Sequence, residues 1–383
     1  MVAGSDNAID RSGELDDAAL DALDERFRHF VSGLPDDRPV WFCFFSSGLL
    51  HVLRHFLRFV PDGLNCAFLT SGLTPEEERI WTEMTTLPSF GIAERVGSHE
   101  IFELLFRNMD RPFGIVDSDC FVMCPEFFTE CIAGLRPGVA ISGPLSYGPI
   151  PLAAPPLMAI DPRAKAEIER AIGGPVSTAA YAFVPPGPEG EIDGAVVRLI
   201  EQHHRVALSE VLGMESARLP FPQGGLMDVL DDGREVRSHE RYYHRRAGHE
   251  VVRVVFDGLM LYQLMALAAG WRLAHFRTFA GTKVFAPELV HAGGISYWAR
   301  LLRSELTAGL RDLPWSAHID ALLLTEFVER TDAPRPYLDR GRELAALLRR
   351  SELDLGSLRR QLSAKLSGSG VDIDDPRWKG VLG

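Results

Sequence analysis

Gly114-Ile115-Val116-Asp117-Ser118-Asp119 sets a short apolar run directly before two carboxylates one residue apart. An uninterrupted apolar run of this length reads as a strand buried on both faces, here Phe113–Val116. Extended backbone places residues i and i+2 on one face, so Asp117 and Asp119 leave the strand together. Two hard oxygen donors on one face suit Mg2+ or Mn2+ held jointly with substrate phosphates. The plain alternative is a loop carrying two solvated aspartates. The position of the stretch inside a repeated strand–helix pattern weighs against that alternative.

The pattern begins upstream. Pro39–Phe45 is a continuous apolar run broken by Ser46-Ser47-Gly48. Leu49–Val60 has helical spacing and stops at Pro61-Asp62-Gly63. Asn65–Leu69 reads as a second buried strand. Thr74-Pro75-Glu76-Glu77 supplies a cap residue, Pro at the first helical position and acids in the first turn. Ser98–Asn108 is helical, with Ile101, Leu104 and Leu105 on one face. After the Asp-x-Asp stretch, Pro125–Leu135 reads as a helix and Val139–Ser142 as a strand. Alternating strands and helices predict an α/β domain with a largely parallel sheet. Ligands of such sheets bind beyond the carboxyl ends of the strands, where both Ser46-Ser47 and Asp117–Asp119 stand.

Further along, residues 144–156 are proline-rich and read as an irregular crossing segment. Ser177–Val184 reads as a strand and Asp193–His204 as a helix. Residues 213–250 read as a long loop or short-element region holding Arg234, Arg237, Arg241, Arg245 and Arg246 among His239, His244 and His249. A segment of that length inside a compact domain is often functional, and its 234–249 stretch could form an acceptor- or phosphate-binding loop, although a charge-rich segment is usually just solvated. Beyond Trp298 the spacing predicts helices over 299–310, 318–330 and 340–362, then a loose tail from Ser367. Their apolar faces are compatible with covering an acceptor site, with a homodimer contact or with completing the core.

Composition bounds the function. The chain has 383 residues, 46% of them hydrophobic and 24% charged, which is ordinary globular usage and excludes disorder or a coiled coil for its bulk. The net charge of −13 repels phosphate backbones and argues against broad nucleic-acid binding. Eight acids fall in the first 25 residues and predict a solvated lead-in, with a helix starting at Ala18. Cys43, Cys66, Cys120, Cys124 and Cys131 form no disulfide framework, and most lie in apolar runs, as buried reduced thiols of a cytoplasmic protein would. No signal peptide is evident at the amino terminus. The apolar stretch Val251–Leu273 is interrupted by Arg253, Asp257, Gln263 and Arg272, so it reads as a buried strand and helix rather than a membrane span.

A strand ending in Asp-x-Asp resembles the signature of the GT-A glycosyltransferases, the nucleotide-diphospho-sugar transferase superfamily, and most of all its family 2-like members. Two further stretches share the resemblance in order and spacing. Val255-Phe256-Asp257, followed by an apolar helix and Gly270-Trp271-Arg272-Leu273, is similar to the acidic motif of inverting members. His291-Ala292-Gly293-Gly294-Ile295-Ser296 is similar to their third metal ligand and diphosphate cradle. The chain departs from the pattern with Phe256 where Glu often precedes the base, and with Phe45-Ser46-Ser47-Gly48 at the end of the first strand. It also lacks a Gln-x-x-Arg-Trp processive motif.

The resemblance implies a Rossmann-like mixed sheet over residues 35–300, after an acidic lead-in (1–34) and before a helical carboxyl-terminal extension (301–383). It implies transfer of a sugar from a nucleotide-diphosphate donor to an acceptor hydroxyl, with Mn2+ or Mg2+ as cofactor. Asp119 and His291 would bind the metal, and Asp117 the metal or the donor ribose. Ser46, Ser47, Ser118, Gly293, Gly294 and Ser296 would contact the donor. Asp257 would be the base that takes the acceptor proton, giving inversion, although Asp is also a favoured helix cap. Two other readings remain at this point. One is a haloacid-dehalogenase-like phosphatase with Asp117 as nucleophile, against which Phe121 stands. The other is a non-catalytic α/β binding protein.

Overall fold

The computed structural model describes residues 8–10, 17–35, 37–144, 146–147, 152–153, 156–176, 181–184, 194–195, 198, 201–202, 226–229, 235–239, 243–246, 252–255, 259–275, 285–295, 315–350 and 354–382. The chain divides into two compact units. The first comprises residues 1–40, 96–115 and 128–282, and the second comprises 41–95, 116–127 and 283–383.

In the first unit, strands Arg272–His275, Val139–Gly143, Leu157–Ile160 and Phe113–Val116 lie in that order. Arg272–His275 runs parallel to Val139–Gly143, which runs antiparallel to Leu157–Ile160, so the sheet is mixed. The last three of these strands are buried at every position, as the apolar runs predict. Helix Ser98–Asn108 begins where the Glu100 carboxylate accepts the Gly97 N–H at 2.6 Å. It packs on helix Asp17–Ser32, and Asn108 donates to Asp24 at 2.7 Å. The residues between Pro144 and Pro156, expected to be irregular, include the short pair Ser146–Tyr147 and Leu152–Ala153. Gln263, on the buried helix Met260–Ala268, pairs with both backbone groups of Ala153, at 2.7 and 2.6 Å. Those bonds satisfy a buried amide inside an otherwise apolar helix face.

A second sheet of this unit has the order Ala8–Asp10, Tyr181–Val184, Val252–Val255, Tyr243–Arg246, Leu226–Val229, Glu235–His239. Three of those strands fall in 213–250, where the sequence shows only a loop or short elements. Short charged strands carry no clean alternation to reveal them. The expected helix over 193–204 falls mostly outside the described residues, and that over 299–310 entirely so.

In the second unit, strands Val40–Ser46, Cys66–Ser71 and Ser89–Ile92 are parallel neighbours. The first two match the predicted runs. The third is too short and too exposed to stand out in the sequence. Helix Leu50–Phe56 continues as a 3-10 turn, Leu57–Phe59. Helix Pro75–Met84 starts with the predicted box: Thr74 Oγ1 accepts from Glu77 N, and Glu77 accepts from Thr74 N. Strands Phe285–Ala286, Leu289–His291 and Cys120–Val122 form a small antiparallel sheet.

Helix Trp315–Arg330 is buried on nearly every side and packs on Leu50–Phe56 and on two further helices, Arg335–Arg350 and Leu355–Gly368. The one long helix expected over 340–362 is therefore two. Asp354 accepts the Ser357 N–H at 2.6 Å and caps a fresh start. The tail, expected to be loose, is packed. Trp378 is 1% exposed and lies against His55, Phe59 and Phe121, with ring centroids 5.1–5.6 Å away. Arg377 donates to the carbonyls of Val122 and Met123. None of the five cysteines forms a disulfide and four are buried, and burial pushes the Cys66 thiol up to about 12.

Asp320 is fully buried between His51 Nε2 and Arg340, each 2.5 Å from a carboxylate oxygen. Burial alone would raise its carboxyl. The charges and hydrogen bonds of His51 and Arg340 outweigh burial and hold it below the ordinary range. Replacing Asp320 with Ala leaves an uncompensated buried cation and should cost about 3–5 kcal/mol in urea unfolding. Because the folded carboxyl is depressed, its contribution is present above the unfolded value of about 4 and is lost as pH falls through the folded value. Acid titration of stability should therefore be steeper in the wild type than in Asp320→Asn.

Candidate active site

The three residues proposed as metal ligands converge within the second unit. One ligand atom from each of Asp117, Asp119 and His291 lies within 4.8 Å of the others, the one such cluster among the described residues. Local structure explains the placement. The strand Phe113–Val116 ends at Asp117, and a tight turn follows in which Cys120 N donates to Asp117 O at 3.0 Å. The chain then forms the strand Cys120–Val122, whose first residue pairs with His291 across the antiparallel ladder. Asp119 and His291 are thus neighbours by register, although the sequence sets them far apart.

The turn after His291 wraps around Asp119. Ala292 N donates to Asp119 O at 3.0 Å, and Ile295 N lies 3.5 Å from Asp119 Oδ2. Gly293 and Gly294 both sit in the left-handed region, at φ +65° and +71°. A side chain at Gly293 would be strained there, and its Cβ would come within 3.3 Å of the His291 ring. Glycine is what lets this turn fold back on the histidine.

Asp119 is 9% exposed and His291 7%, with His291 Nε2 3.6 Å from Asp119 Oδ1. Burial pushes the Asp119 carboxyl up, but attraction to His291 and the Ile295 N–H outweigh it, so the group is held below the ordinary carboxylate range. Asp119 is consequently ionised at neutral pH. Asp117 is half-buried, more exposed than Asp119 or His291. Burial, then the nearby Cys66, Asp117 and Asp119, push the Cys43 thiol well above its usual value. That thiol stays neutral, which leaves the cluster an oxygen and imidazole donor set.

The other sequence-predicted residues divide. Ser46 closes the first strand and Ser47 follows it, but the Ser47 hydroxyl donates to Glu77 Oε2 at 2.7 Å. Ser118 lies in the turn between the two aspartates. Asp257 and Ser296 lie outside the described residues, as do the side chains of 234–249. Glu77, Tyr337 and Arg340 bond to the turn after the first strand, a contact that sequence reasoning missed. Glu77 stood out only as a cap acid, and nothing local marks Tyr337 or Arg340. No helix among the described residues is long and apolar enough to cross a membrane.

An α/β chain that gathers two strand-end aspartates and a histidine is, on comparison with known proteins, a nucleotide-sugar-dependent glycosyltransferase. The StrH glycosyltransferase N-terminal domain matches residues 19–165, and the StrH C-terminal domain matches residues 285–378. The chain is 66% identical, over 368 residues, to the dTDP-dihydrostreptose–streptidine-6-phosphate dihydrostreptosyltransferase of Streptomyces griseus, covering 96% of each protein. It belongs to the StrH glycosyltransferase family. The phosphatase and the non-catalytic alternatives fall with that finding.

The balance at Asp119 gives a direct expectation. In His291→Ala, burial is left with less opposition, so the Asp119 carboxyl should titrate higher than in the wild type. Carbon-13 NMR of labelled aspartate measures this. An unchanged titration would mean that His291 does not hold the carboxylate ionised.

Proposed function

We propose that this protein, like that relative, transfers dihydrostreptose from dTDP to streptidine-6-phosphate, with a divalent metal held by Asp117, Asp119 and His291. One observation carries the reading: three metal-ligating atoms converge within 4.8 Å in a chain that is 66% identical, nearly end to end, to a transferase with that donor and acceptor. A GT-A arrangement of the strands is part of the reading, and the mixed α/β fold with its strand-end Asp-x-Asp supports it.

The donor set fits the ion. Two carboxylates and an imidazole, without a thiolate, favour Mg2+ or Mn2+ over soft metals. Bound there, the ion would supply positive charge to the departing nucleotide diphosphate. The chain's own residues do the rest. Asp119 is held ionised, and His291 would ligate as neutral imidazole, so a bound ion would take the place of the proton that the imidazole carries. The Gly293-Gly294 turn offers backbone N–H groups to the diphosphate. Ser46 meets the nucleotide at the end of the first strand.

Asp257 takes the acceptor proton as the hydroxyl attacks, which gives inversion at the anomeric carbon. Nearby strain supports a functional segment. Leu259 is the one non-glycine residue with positive φ among the described residues, at +58°, and is 2% exposed. Such a conformation costs about 1–3 kcal/mol and gathers at functional sites. The Arg- and His-rich stretch 234–249 suits an acceptor that carries phosphate.

Thermal shift with dTDP, UDP, GDP and CDP, each with Mn2+ or with EDTA, tests the donor and the metal together. The expected result is stabilisation by dTDP with Mn2+, abolished by EDTA and by Asp119→Ala. Stabilisation that persists in EDTA would remove the metal role. With a dTDP-sugar and acceptor, Asp257→Asn should lower kcat by roughly 10²–10⁴ while dTDP binding persists. NMR of the product's anomeric configuration decides inversion.

A further inference from the structure

The turn after the first strand is fastened from the far end of the chain. Gly48 N donates to Glu77 Oε1 at 2.7 Å, and the Ser47 hydroxyl donates to Glu77 Oε2 at 2.7 Å. Leu50 N donates to Tyr337 Oη at 2.9 Å, and that hydroxyl donates to Glu77 Oε1 at 3.2 Å. Arg340 Nη1 donates to Gly48 O at 3.3 Å while its other end is held by Asp320. Glu77 and Tyr337 are 5% and 3% exposed.

This is more than a helix cap requires. The cap at Pro75–Met84 is complete with the Thr74 N–H alone. Three further donors reach the same carboxylate, two from the turn and one from helix Arg335–Arg350. Burial and the adjacent Glu77 charge push the Tyr337 phenol far up, so it stays a donor. Gly48 sits at φ +91°, and a Cβ there would meet nothing within 4 Å. The glycine therefore answers to backbone conformation and not to crowding. The turn is built to hold one shape.

We propose that Tyr337 and Glu77 are positioning residues for glycosyl transfer, holding the 46–50 turn in the shape that receives the donor nucleotide. The proposal rests on the reading that this turn lines the dTDP site. With the Ser47 hydroxyl and the Gly48 and Leu50 amides committed, the Ser46 side chain is the group of this turn that would meet the nucleotide. The carboxyl-terminal helices thereby take part in donor recognition without touching the donor. Pre-ordering the turn lowers the ordering cost of binding.

The test is calorimetric titration of dTDP with saturating Mn2+ into the full-length wild type, Tyr337→Phe, Glu77→Gln and Phe327→Leu. Phe327 packs on the Tyr337 ring at 5.1 Å but holds no part of the hydrogen-bond chain, so its variant reports general loosening. Losing a hydrogen bond to a charged group should raise Kd about tenfold in Tyr337→Phe and Glu77→Gln. Phe327→Leu should lower Tm yet keep Kd within about twofold. Unchanged Kd in Tyr337→Phe, or an equal rise in Phe327→Leu, would overturn the positioning role and leave the dTDP reading standing. A wild type that does not bind dTDP at all would overturn that reading, and this inference with it.

Discussion

A carboxylate withdrawn from water needs a countercharge or donors inside the protein, and the second unit is organised around that constraint. Asp119 is answered by His291 and by the glycine turn that follows it. Asp320 is answered by His51 and Arg340. Glu77 is answered by Ser47, Gly48, Thr74 and Tyr337. Glu326, 2% exposed, is answered by Arg58. Each of the four has one partner from a distant part of the chain: 269 residues separate His51 from Asp320, and 260 separate Glu77 from Tyr337. These long-range pairs tie the amino-terminal part of the unit to the carboxyl-terminal third.

This arrangement links stability to chemistry. Breaking a buried pair by removing one partner is far costlier than the pair is worth, so the ion pairs act as locks more than as sources of net stability. Locked elements suit a site whose ligand atoms must converge before a charged donor arrives. Asp119 illustrates the point. Its burial would make it a poor anion, and the imidazole restores its charge.

Local chemistry made much of the fold legible. Continuous apolar runs gave Val40–Ser46, Cys66–Ser71, Phe113–Val116 and Val139–Gly143, because a strand buried on both faces needs apolar residues at every position. The Thr74–Glu77 box and Ser98–Asn108 were legible because capping and helical spacing are short-range. Ser89–Ile92 was not, since alternate residues are exposed and the run is short. The strands inside 213–250 were hidden by their charge, and the break between the last two helices by amphipathic spacing that continues across it. The tail looked loose because its polar residues dominate, whereas Trp378 finds an aromatic cluster that only folding assembles.

By itself, the sequence determined the α/β pattern and the pair of aspartates at a strand end, since period and terminus are written in consecutive residues. It also marked His291 and its glycine turn as candidates, through a resemblance of order and spacing. Tertiary structure alone decided that His291 stands opposite Cys120, beside Asp119, because ladder register is a relation between separate strands. It likewise decided that Glu77 does more than cap a helix, and that Tyr337 and Arg340 reach the turn after the first strand. A hydrogen bond acts over a few ångströms of space and is indifferent to separation along the chain, so no local pattern records which distant side chain completes it.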